Sequence, residues 1–201
     1  FTKALAFFSR FHGPIVAGKY DFSAARQLCD VGGGSGILLA EVLKRYPQVK
    51  GILFEMSQML PEARDNMAAQ GLAARCEFVG GDFFQSVPGG CDHYMMQVVL
   101  HDWDDDACVR ILRNVRRAMP PGAKVLVIEA VLEPGSEPDN WMLRATDLLM
   151  LVLTGSGRER TKEQFATVFE TAGLGLVRDV TLPSLSHIFE LEALASAGDG
   201  T

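Results

Sequence analysis

The sequence predicts an α/β fold: a mostly parallel sheet of seven strands, with helices on both faces and an antiparallel strand near the carboxyl terminus. Two observations support this prediction. Short apolar runs alternate with helical patterns between residues 27 and 131, and such alternation is typical of parallel sheets covered on both sides. Further along, two apolar runs are joined only by the turn region at Pro183–Ser184, and so short a connection cannot make a parallel crossover.

The first strand and helix carry the clearest local signals. The strand Gln27–Val31 ends in a glycine cluster, which is a signal for a buried strand. The helix Ile37–Tyr46 has leucines and a valine at helical spacing, and Pro47 follows its end. Further strands of this part are predicted at Val49–Glu55, Arg75–Val79, Cys91–Leu100 and Lys124–Val131.

Two more helices separate these strands. The helix Pro61–Gln70 is stopped by Gly71. The helix Asp104–Met119 opens with three aspartates and carries arginines in its later turns, a charge order that suits the helix macrodipole. Pro120 and the residues after it close this helix.

The pattern changes past residue 131. Glu133–Asn140 is predicted to be a loop, followed by an apolar helix at Trp141–Leu153. Thr161 is predicted to cap a helix that runs to about Ala172. The final elements are the strands Leu174–Leu182 and His187–Ala193, and a frayed tail at Ser196–Thr201.

Composition restricts the class of protein. The chain has 201 residues, 48% of them apolar, and a net charge of −6, which indicates one globular domain with no nucleic-acid partner. The longest apolar stretch, Leu148–Leu153, is far shorter than a membrane span. The four cysteines are widely spaced, so neither a zinc knuckle nor a disulfide framework is predicted. We therefore expect a cytoplasmic protein with no metal site.

The sharpest motif is the glycine turn that follows the first strand, with glycines at Gly32, Gly34 and Gly36. Glycines allow close backbone approach to a ligand, and the helix amino terminus that follows attracts negative charge. Ile37 stands where a dinucleotide fingerprint needs its third glycine. Asp30, two residues before the turn, repels pyrophosphate and can hold an ammonium group. Glycine turns are also common without any ligand.

Acidic residues end the next two strands. Glu55 lies 23 residues after Gly32, where a carboxylate can accept both hydroxyls of a ribose. Asp82 could accept an adenine amino hydrogen while Phe83 packs on the ring. Each acid alone is more simply a solvated strand end. Because carboxyl ends of neighbouring strands line one crevice, we expect Asp30, Glu55 and Asp82 to converge there.

The candidate proton-handling residues come later in the chain. His101 follows the fourth predicted strand and faces the same crevice, although such a histidine is often a packing residue. Glu129, near the end of the fifth strand, and Glu159, in a later loop, indicate nothing alone. The acids Asp104–Asp106 are more simply cap and dipole residues than metal ligands.

Together these residues carry a family resemblance. From about Tyr20 to Val180 the chain resembles the S-adenosylmethionine-dependent O-methyltransferases of the caffeic-acid and polyketide-tailoring type. The matching blocks, in the family's order and approximate spacing, are Asp30-Val31-Gly32-Gly33-Gly34-Ser35-Gly36, Gly80-Gly81-Asp82-Phe83-Phe84, Leu100-His101-Asp102-Trp103-Asp104-Asp105 and Gly157-Arg158-Glu159-Arg160-Thr161. The resemblance implies a Rossmann-like methyltransferase fold and S-adenosylmethionine as the cofactor.

The resemblance also implies roles for the site residues. His101 would be the base, flanked by Glu129 and Glu159, with Asp102 as a further catalytic candidate. The implied cofactor-binding residues are Asp30, Gly32, Gly34, Gly36, Glu55, Asp82, Phe83 and Gln97. The family usually has Asp at the position of Glu55 and Lys at that of Gln97.

The domain expectation follows from the same family. Residues 26–201 would form the catalytic domain, and residues 1–25 would be a helical lead-in left from the linker to a dimerisation domain. The full-length family forms homodimers, whereas we expect this chain to be mainly monomeric, with an apolar patch around Phe7, Phe8 and Phe11.

The expected reaction is methyl transfer to a hydroxyl, most simply a phenol, of a small aromatic or polyketide-like molecule. The apolar helix could wall the acceptor site through Trp141, Met142, Leu149 and Met150, although core packing explains these residues equally well. Two alternatives stay open. One is a non-methylating relative, either a pseudoenzyme that binds the cofactor or a tailoring hydroxylase-like member. The other is a dinucleotide-dependent oxidoreductase, which the glycine spacing and Asp82 disfavour.

Overall fold

The sheet has seven strands. The computed structural model describes residues 12–132, 141–183 and 185–195. The strands are β1 (Gln27–Val31), β2 (Lys50–Glu55), β3 (Cys76–Gly80), β4 (His93–Gln97), β5 (Lys124–Ala130), β6 (Leu174–Thr181) and β7 (Ser186–Ala193). Their order across the sheet is β3-β2-β1-β4-β5-β7-β6.

The strand directions confirm the predicted topology. Neighbouring strands from β3 to β5 pair in parallel, whereas β7 runs antiparallel to both β5 and β6. The order of the strands changes direction between β1 and β4, and such a switch point leaves a crevice at the carboxyl ends of the two strands. The prediction of a mostly parallel sheet with an antiparallel strand near the end is confirmed.

Helices cover both faces of the sheet. They are α1 (residues 12–19 within the described part), α2 (Ile37–Arg45), α3 (Leu60–Ala69), α4 (Asp105–Ala118), α5 (Trp141–Thr154) and α6 (Lys162–Thr171). Thr161 caps α6 as predicted, in a capping box with Gln164. Asp104 is the N-cap of α4, where its carboxylate accepts the amide hydrogen of Ala107.

The core has two parts, one on each face. The first contains apolar residues of α4 and α6, such as Leu112 and Phe165, packed on the sheet. The second contains residues of α1, α2 and α3. Val16, Tyr20 and Phe22 belong to this second part, so the described end of the predicted lead-in packs against the sheet. The predicted patch at Phe7, Phe8 and Phe11, the predicted loop Glu133–Asn140 and the predicted tail Ser196–Thr201 lie outside the described residues.

The largest error in the sequence prediction concerns β4. The strand was expected at Cys91–Leu100, but it ends at Gln97 and a 3₁₀ turn follows at Leu100–Asp102. Val98 has a positive φ of 56°, which a strand cannot continue through. The amide hydrogens of the next two residues are accepted by the Glu129 carboxylate, so they are unavailable to a sheet ladder.

Candidate active site

A cavity of about 360 Å³ opens at the carboxyl ends of β1, β2 and β4. Its wall combines the backbone of the glycine turn with three carboxyl groups, an amide and several apolar side chains. The lining residues are Asp30, Gly32, Gly33, Gly34, Ser35, Ile37, Leu38, Glu55, Met56, Met59, Phe83, Gln97, Val98, Val99, Asp102 and Trp103. The position matches the crevice at which ligands bind in open α/β sheets.

The glycine turn brings backbone to the cavity surface. Gly32 and Gly34 have positive φ values of 71° and 53° and both line the cavity. Gly36 also has a positive φ, of 75°, but it is absent from the lining. A Cβ on Gly36 would lie 2.7 Å from Cδ1 of Leu53. Of the three glycines predicted to bind the cofactor, Gly36 therefore serves the packing of α2 on the sheet.

Asp30 lies beneath this turn and is buried. Its Oδ2 atom has no hydrogen-bond partner within the described residues, and a Cβ on Gly33 would lie 2.7 Å from that atom. Burial, and then the charge of Glu55, raises the pKa of Asp30 to about 8. Gln97 also has a buried amide nitrogen without a partner in the same part of the structure. Asp30 and Gln97 thus each bring to the wall a buried polar atom without a partner in the described chain, whereas buried polar groups are ordinarily hydrogen-bonded.

The other two predicted acids are placed differently from each other. Glu55 lines the cavity, and its two oxygens accept the amide hydrogens of Gly34 at 3.0 Å and Met56 at 2.7 Å. Asp82 is exposed and absent from the lining, and its Oδ1 accepts the amide hydrogen of Phe84 at 2.8 Å. The ring of Phe83 does line the cavity. The structure therefore brings Asp30 and Glu55 together, whereas Asp82 shapes the loop that presents Phe83.

His101 sits in the 3₁₀ turn after β4 and is buried. Its Nδ1 atom lies 3.3 Å from Oε1 of Glu159, and its Nε2 atom lies 3.5 Å from Oδ1 of Asp102. Burial lowers the pKa of His101, but the hydrogen bond to Glu159 and the charges of Glu129, Glu159 and Asp102 outweigh it. The pKa is raised to about 9. The ring is therefore protonated at neutral pH in the ligand-free chain.

Glu129 acts on the backbone of the turn. It is buried at the end of β5, and its Oε1 accepts the amide hydrogens of Val99 at 2.8 Å and Leu100 at 2.7 Å. Its Oε2 has no hydrogen-bond partner among the described residues, so the ring of His101 is bonded to Glu159 and not to Glu129. Burial raises the pKa of Glu129 to about 7, against the opposing charge of His101. Of the two predicted flanking acids, Glu159 is the one that contacts the imidazole.

The turn also connects His101 to the cavity. Asp102 and Trp103, the next two residues, line the cavity. The Oδ1 atom of Asp102 is buried and makes no hydrogen bond within the described chain beyond its 3.5 Å ion-pair contact with Nε2 of His101, and burial raises the pKa of this carboxyl group. His101, Glu129 and Glu159 are themselves absent from the lining, so Asp102 is the one candidate catalytic residue that reaches the surface of the cavity enclosed by the described residues.

Sequence reasoning missed several residues of the wall. Met56 and Met59 directly follow β2 and line the cavity. Trp103 lies beside Phe83 and Phe84, with ring centroids 6.0 and 4.7 Å away in edge-to-face contacts. The position of Trp103 within the His101 block was a usable signal. The methionines gave none, because a methionine after a strand is ordinarily a packing residue.

The apolar helix α5 does not wall this cavity. Trp141 and Leu149 are exposed at 68% and 49%, whereas Met150 is buried, and none of the three is in the cavity lining. Met142 has no described side chain. Other residues of this helix, among them Leu148 and Val152, are also more than half exposed. The hypothesis that this helix walls an acceptor site finds no support in the cavity that the described residues enclose.

Two further kinds of feature, a metal site and a membrane span, are not found among the described residues. No group of three or more His, Cys, Asp or Glu side chains in these ranges is placed to hold a metal ion. No helix in the same ranges has the length and apolar character needed to cross a membrane.

Comparison with known proteins places the chain among methyltransferases. A family model described as an O-methyltransferase domain matches residues 1–175. The phenazine O-methyltransferase of Lysobacter antibioticus is 41% identical over 195 residues, which are 96% of this chain and 55% of that protein.

Solved structures agree. The mitomycin 7-O-methyltransferase structure superposes with a TM-score of 0.91 at 39% identity, and the match covers 96% of this chain and 56% of that one. An O-methyltransferase from neocarzinostatin biosynthesis, solved with S-adenosylmethionine and 2-hydroxy-5-methyl naphthoic acid, superposes with a TM-score of 0.83 at 32% identity. That match covers 96% of this chain and 58% of the other. The chain thus spans about half the length of the relatives it matches.

Proposed function

Because the chain belongs to the O-methyltransferase family, we propose that it forms the catalytic part of an S-adenosylmethionine-dependent O-methyltransferase. The acceptor is a hydroxyl, most simply phenolic, on a small aromatic or polyketide-like molecule. The observation that carries the proposal is the His101–Glu159 pair, with Nδ1 and Oε1 3.3 Å apart, in a turn whose next residues line the glycine-rich cavity.

The cavity residues fit the cofactor. Asp30 offers a buried oxygen without a partner in the described chain, which suits an ammonium group. Glu55 keeps lone pairs available for two ribose hydroxyls beyond its two backbone contacts. The ring of Phe83 offers an apolar face to an adenine. When bound, S-adenosylmethionine supplies a methyl group on a sulfonium, which is a competent electrophile.

His101 would remove the proton of the acceptor hydroxyl. A neutral imidazole is the side chain best matched to this task, and a positioned base contributes roughly 10²–10⁴-fold to the rate. Glu159 would hold the ring in one tautomer and stabilise the imidazolium after proton transfer, as an orienting carboxylate does in a catalytic triad. Alignment of the acceptor oxygen contributes the remainder.

Domain organisation and assembly form a further part of the proposal. We assign residues 26–201 to the catalytic domain and residues 1–25 to a lead-in. The exposed apolar side chains of α5 support a role for this helix in contact with a helical dimerisation domain or a partner subunit. The four cysteines are free and buried, which supports a reducing compartment such as the cytoplasm.

Titration with S-adenosylhomocysteine tests the cofactor part of the proposal. We expect binding by calorimetry, and a higher melting temperature, because a ligand at 100 times its dissociation constant adds about 2.7 kcal/mol. Glu55→Ala should weaken the shift because it removes a cavity carboxylate, and Asp82→Ala should weaken it through the loop that presents Phe83. The control Asp65→Ala, exposed on α3, should not. Stabilisation by NADH without any effect of S-adenosylhomocysteine would favour the oxidoreductase alternative.

Methyl transfer to a panel of phenols tests the role of His101. His101→Ala should lower turnover by roughly 10²–10⁴-fold while S-adenosylhomocysteine affinity stays nearly unchanged. His93→Ala is a matched control, because His93 is also buried beside a carboxylate, 2.6 Å from Asp92, but at the opposite end of β4. Turnover of a more acidic phenol should fall less in His101→Ala, because an acceptor that is already ionised depends less on a base. Equal losses on both phenols would show that His101 packs and does not take the proton, and cofactor binding without any methylation would favour the non-methylating alternative.

A further inference from the structure

Arg160 is a fully buried arginine next to the candidate active site. Its exposed fraction is 0%, and a buried guanidinium is costly unless it is paired and hydrogen-bonded. Its Nε donates to Oδ1 of Asp105 at 2.8 Å. Its other nitrogens donate to three backbone carbonyls, those of Leu100 at 3.0 Å, Trp103 at 2.7 Å and Arg158 at 3.3 Å.

Two of these carbonyls flank the turn that carries His101. Leu100 is the first residue of the 3₁₀ turn Leu100–Asp102, and Trp103 is its C-cap. The amide hydrogen of Leu100 is accepted by Glu129, while its carbonyl accepts from Arg160. The turn is therefore hydrogen-bonded on one side to the carboxylate of Glu129 from β5 and on the other side to the guanidinium of Arg160.

Arg160 also directly follows Glu159, whose carboxylate contacts the imidazole of His101. The guanidinium that holds the turn and the carboxylate that holds the ring thus belong to consecutive residues of one chain segment. We propose that Arg160 is a positioning residue, which fixes His101 against Glu159 by holding the carbonyl groups at both ends of the turn. This inference rests on the proposed role of His101 as the base.

The planar fork of arginine suits this task better than a lysine. A guanidinium presents five donors in fixed directions, whereas an ammonium is a point charge on a flexible stem. The groups that face His101 are Asp102 from its own turn, Glu129 from β5 and Glu159 from the loop before α6, all carboxyl groups. Arg160→Lys keeps the positive charge near them, so any change in the titration of His101 reports a change of geometry.

The experiment compares Arg160→Lys with Arg158→Lys. Arg158 pairs with the same Asp105 but is partly exposed and donates to neither of the turn carbonyls that Arg160 holds, which makes it a matched control. The chain has four histidines, so the NMR signal of His101 can be assigned by its loss in His101→Ala. In Arg160→Lys the pKa of His101 should fall by about one unit or more toward 6.5, because the hydrogen bond to Glu159 lengthens. S-adenosylhomocysteine affinity should stay within twofold.

Methyl transfer gives the second readout. Near pH 9.5, most His101 rings are neutral in both proteins. At this pH, turnover of a weakly acidic phenol that is not yet ionised should be about 10- to 100-fold lower in Arg160→Lys, with Arg158→Lys near the parent value. A lower melting temperature with the His101 titration unmoved would show that Arg160 only stabilises the fold and would overturn the inference. A parallel loss of S-adenosylhomocysteine affinity would overturn it too, since the effect would then extend to the whole cavity.

A milder variant guards against failure to fold. Asp105→Asn weakens the contact to Nε of Arg160 and leaves the guanidinium in place. The pKa of His101 should therefore fall in this variant too, by a smaller amount than in Arg160→Lys. Asp106→Asn, exposed in the same helical turn, is the control and should have no effect. Because the titration is measured without acceptor, an absence of methyl transfer would count against the proposed function, and an unmoved titration against the positioning role.

Discussion

Glu159 holds His101 across a sequence separation of 58 residues, with Oε1 3.3 Å from Nδ1 and both side chains buried. This contact is the main reason that the pKa of the imidazole stays above its ordinary value despite burial. It joins two segments that the sequence keeps far apart, the turn after β4 and the loop before α6.

We expect Glu159→Gln to shift the pH dependence of methyl transfer to lower pH. In the parent protein the fraction of His101 in the neutral form, and with it the rate, increases roughly tenfold per pH unit until the pH reaches the pKa near 9. Without the carboxylate the pKa falls, so the rate should level off earlier. A pH–rate profile measures the shift. Glu163→Gln, exposed on α6, should leave the profile in place, and an unshifted profile in Glu159→Gln would contradict the role of the pair.

Glu129→Ala should destabilise the fold strongly. It leaves two buried amide hydrogens, of Val99 and Leu100, without an acceptor, at a cost of about 1–3 kcal/mol each. Glu129→Gln keeps an acceptor oxygen and should lose less. Urea unfolding measures the difference, with Glu77→Ala, exposed on β3, as the control. Equal stability of the alanine and glutamine variants would show that these two hydrogen bonds contribute little.

Asp30 should make the ligand-free chain less stable as pH rises. Its pKa is about 8 in the folded chain against 3.8 as the ordinary value. Between these values the folded state keeps a proton that the unfolded state has released, so stability declines from about pH 4 to pH 8 and then levels. The asparagine of Asp30→Asn cannot ionise, so the free energy of unfolding of this variant should exceed that of the parent increasingly from pH 4 to pH 8. The two free energies should converge near pH 4. Denaturant unfolding at several pH values measures the gap, with Asp82→Asn as the exposed control. Parallel curves would contradict the shift.

Binding of S-adenosylhomocysteine near pH 7 should release protons. Asp30 is neutral in the ligand-free chain at this pH, and pairing with an ammonium group favours its ionised form. Calorimetry in buffers of different ionisation enthalpy counts the protons. The release should fall in Asp30→Asn, and proton uptake in the parent chain would contradict this placement of the ammonium group.

The 201-residue chain should be mainly monomeric at micromolar concentration and should bind an apolar dye through α5. Leu148 and Val152 are exposed at 63% and 73%, and such contiguous apolar surface is typical of interaction sites. The double substitution Leu148→Glu with Val152→Glu should reduce dye fluorescence without lowering the melting temperature. Light scattering that shows a tight dimer would contradict the monomer expectation.

The sequence predicted elements well where the signal is local. The strand Gln27–Val31 was predicted to the residue, because an apolar run and a glycine cluster define its two sides. Capping of α6 by Thr161 was predicted from neighbouring residues alone. Grouping of Asp30 and Glu55 followed from a rule of topology, since both end parallel strands that are adjacent in the sheet.

Features that depend on distant contacts escaped prediction. The end of β4 is set by a carboxylate 30 residues further along the chain, and no pattern near Val98 signals this. Arg160 lies inside one of the blocks that match the family, but no pattern in the neighbouring sequence indicates that its guanidinium is fully buried. Asp82 was expected in the crevice on the same topological rule. Its carboxylate instead accepts a hydrogen bond from the nearby amide of Phe84.

The strand order has an evolutionary consequence. Asp30 and Glu55 lie on β1 and β2, whereas His101 follows β4 and Glu129 lies on β5, so the two groups of residues occupy opposite halves of the sheet. The backbones of the two halves are hydrogen-bonded where β1 pairs with β4 over three residue pairs. Both parts of the core extend across this junction, because Val31 packs in one cluster with Val125 and Leu28 packs in the other with Leu126. A change of side-chain volume in one half is therefore felt in the other, and laboratory evolution has to vary the two halves together.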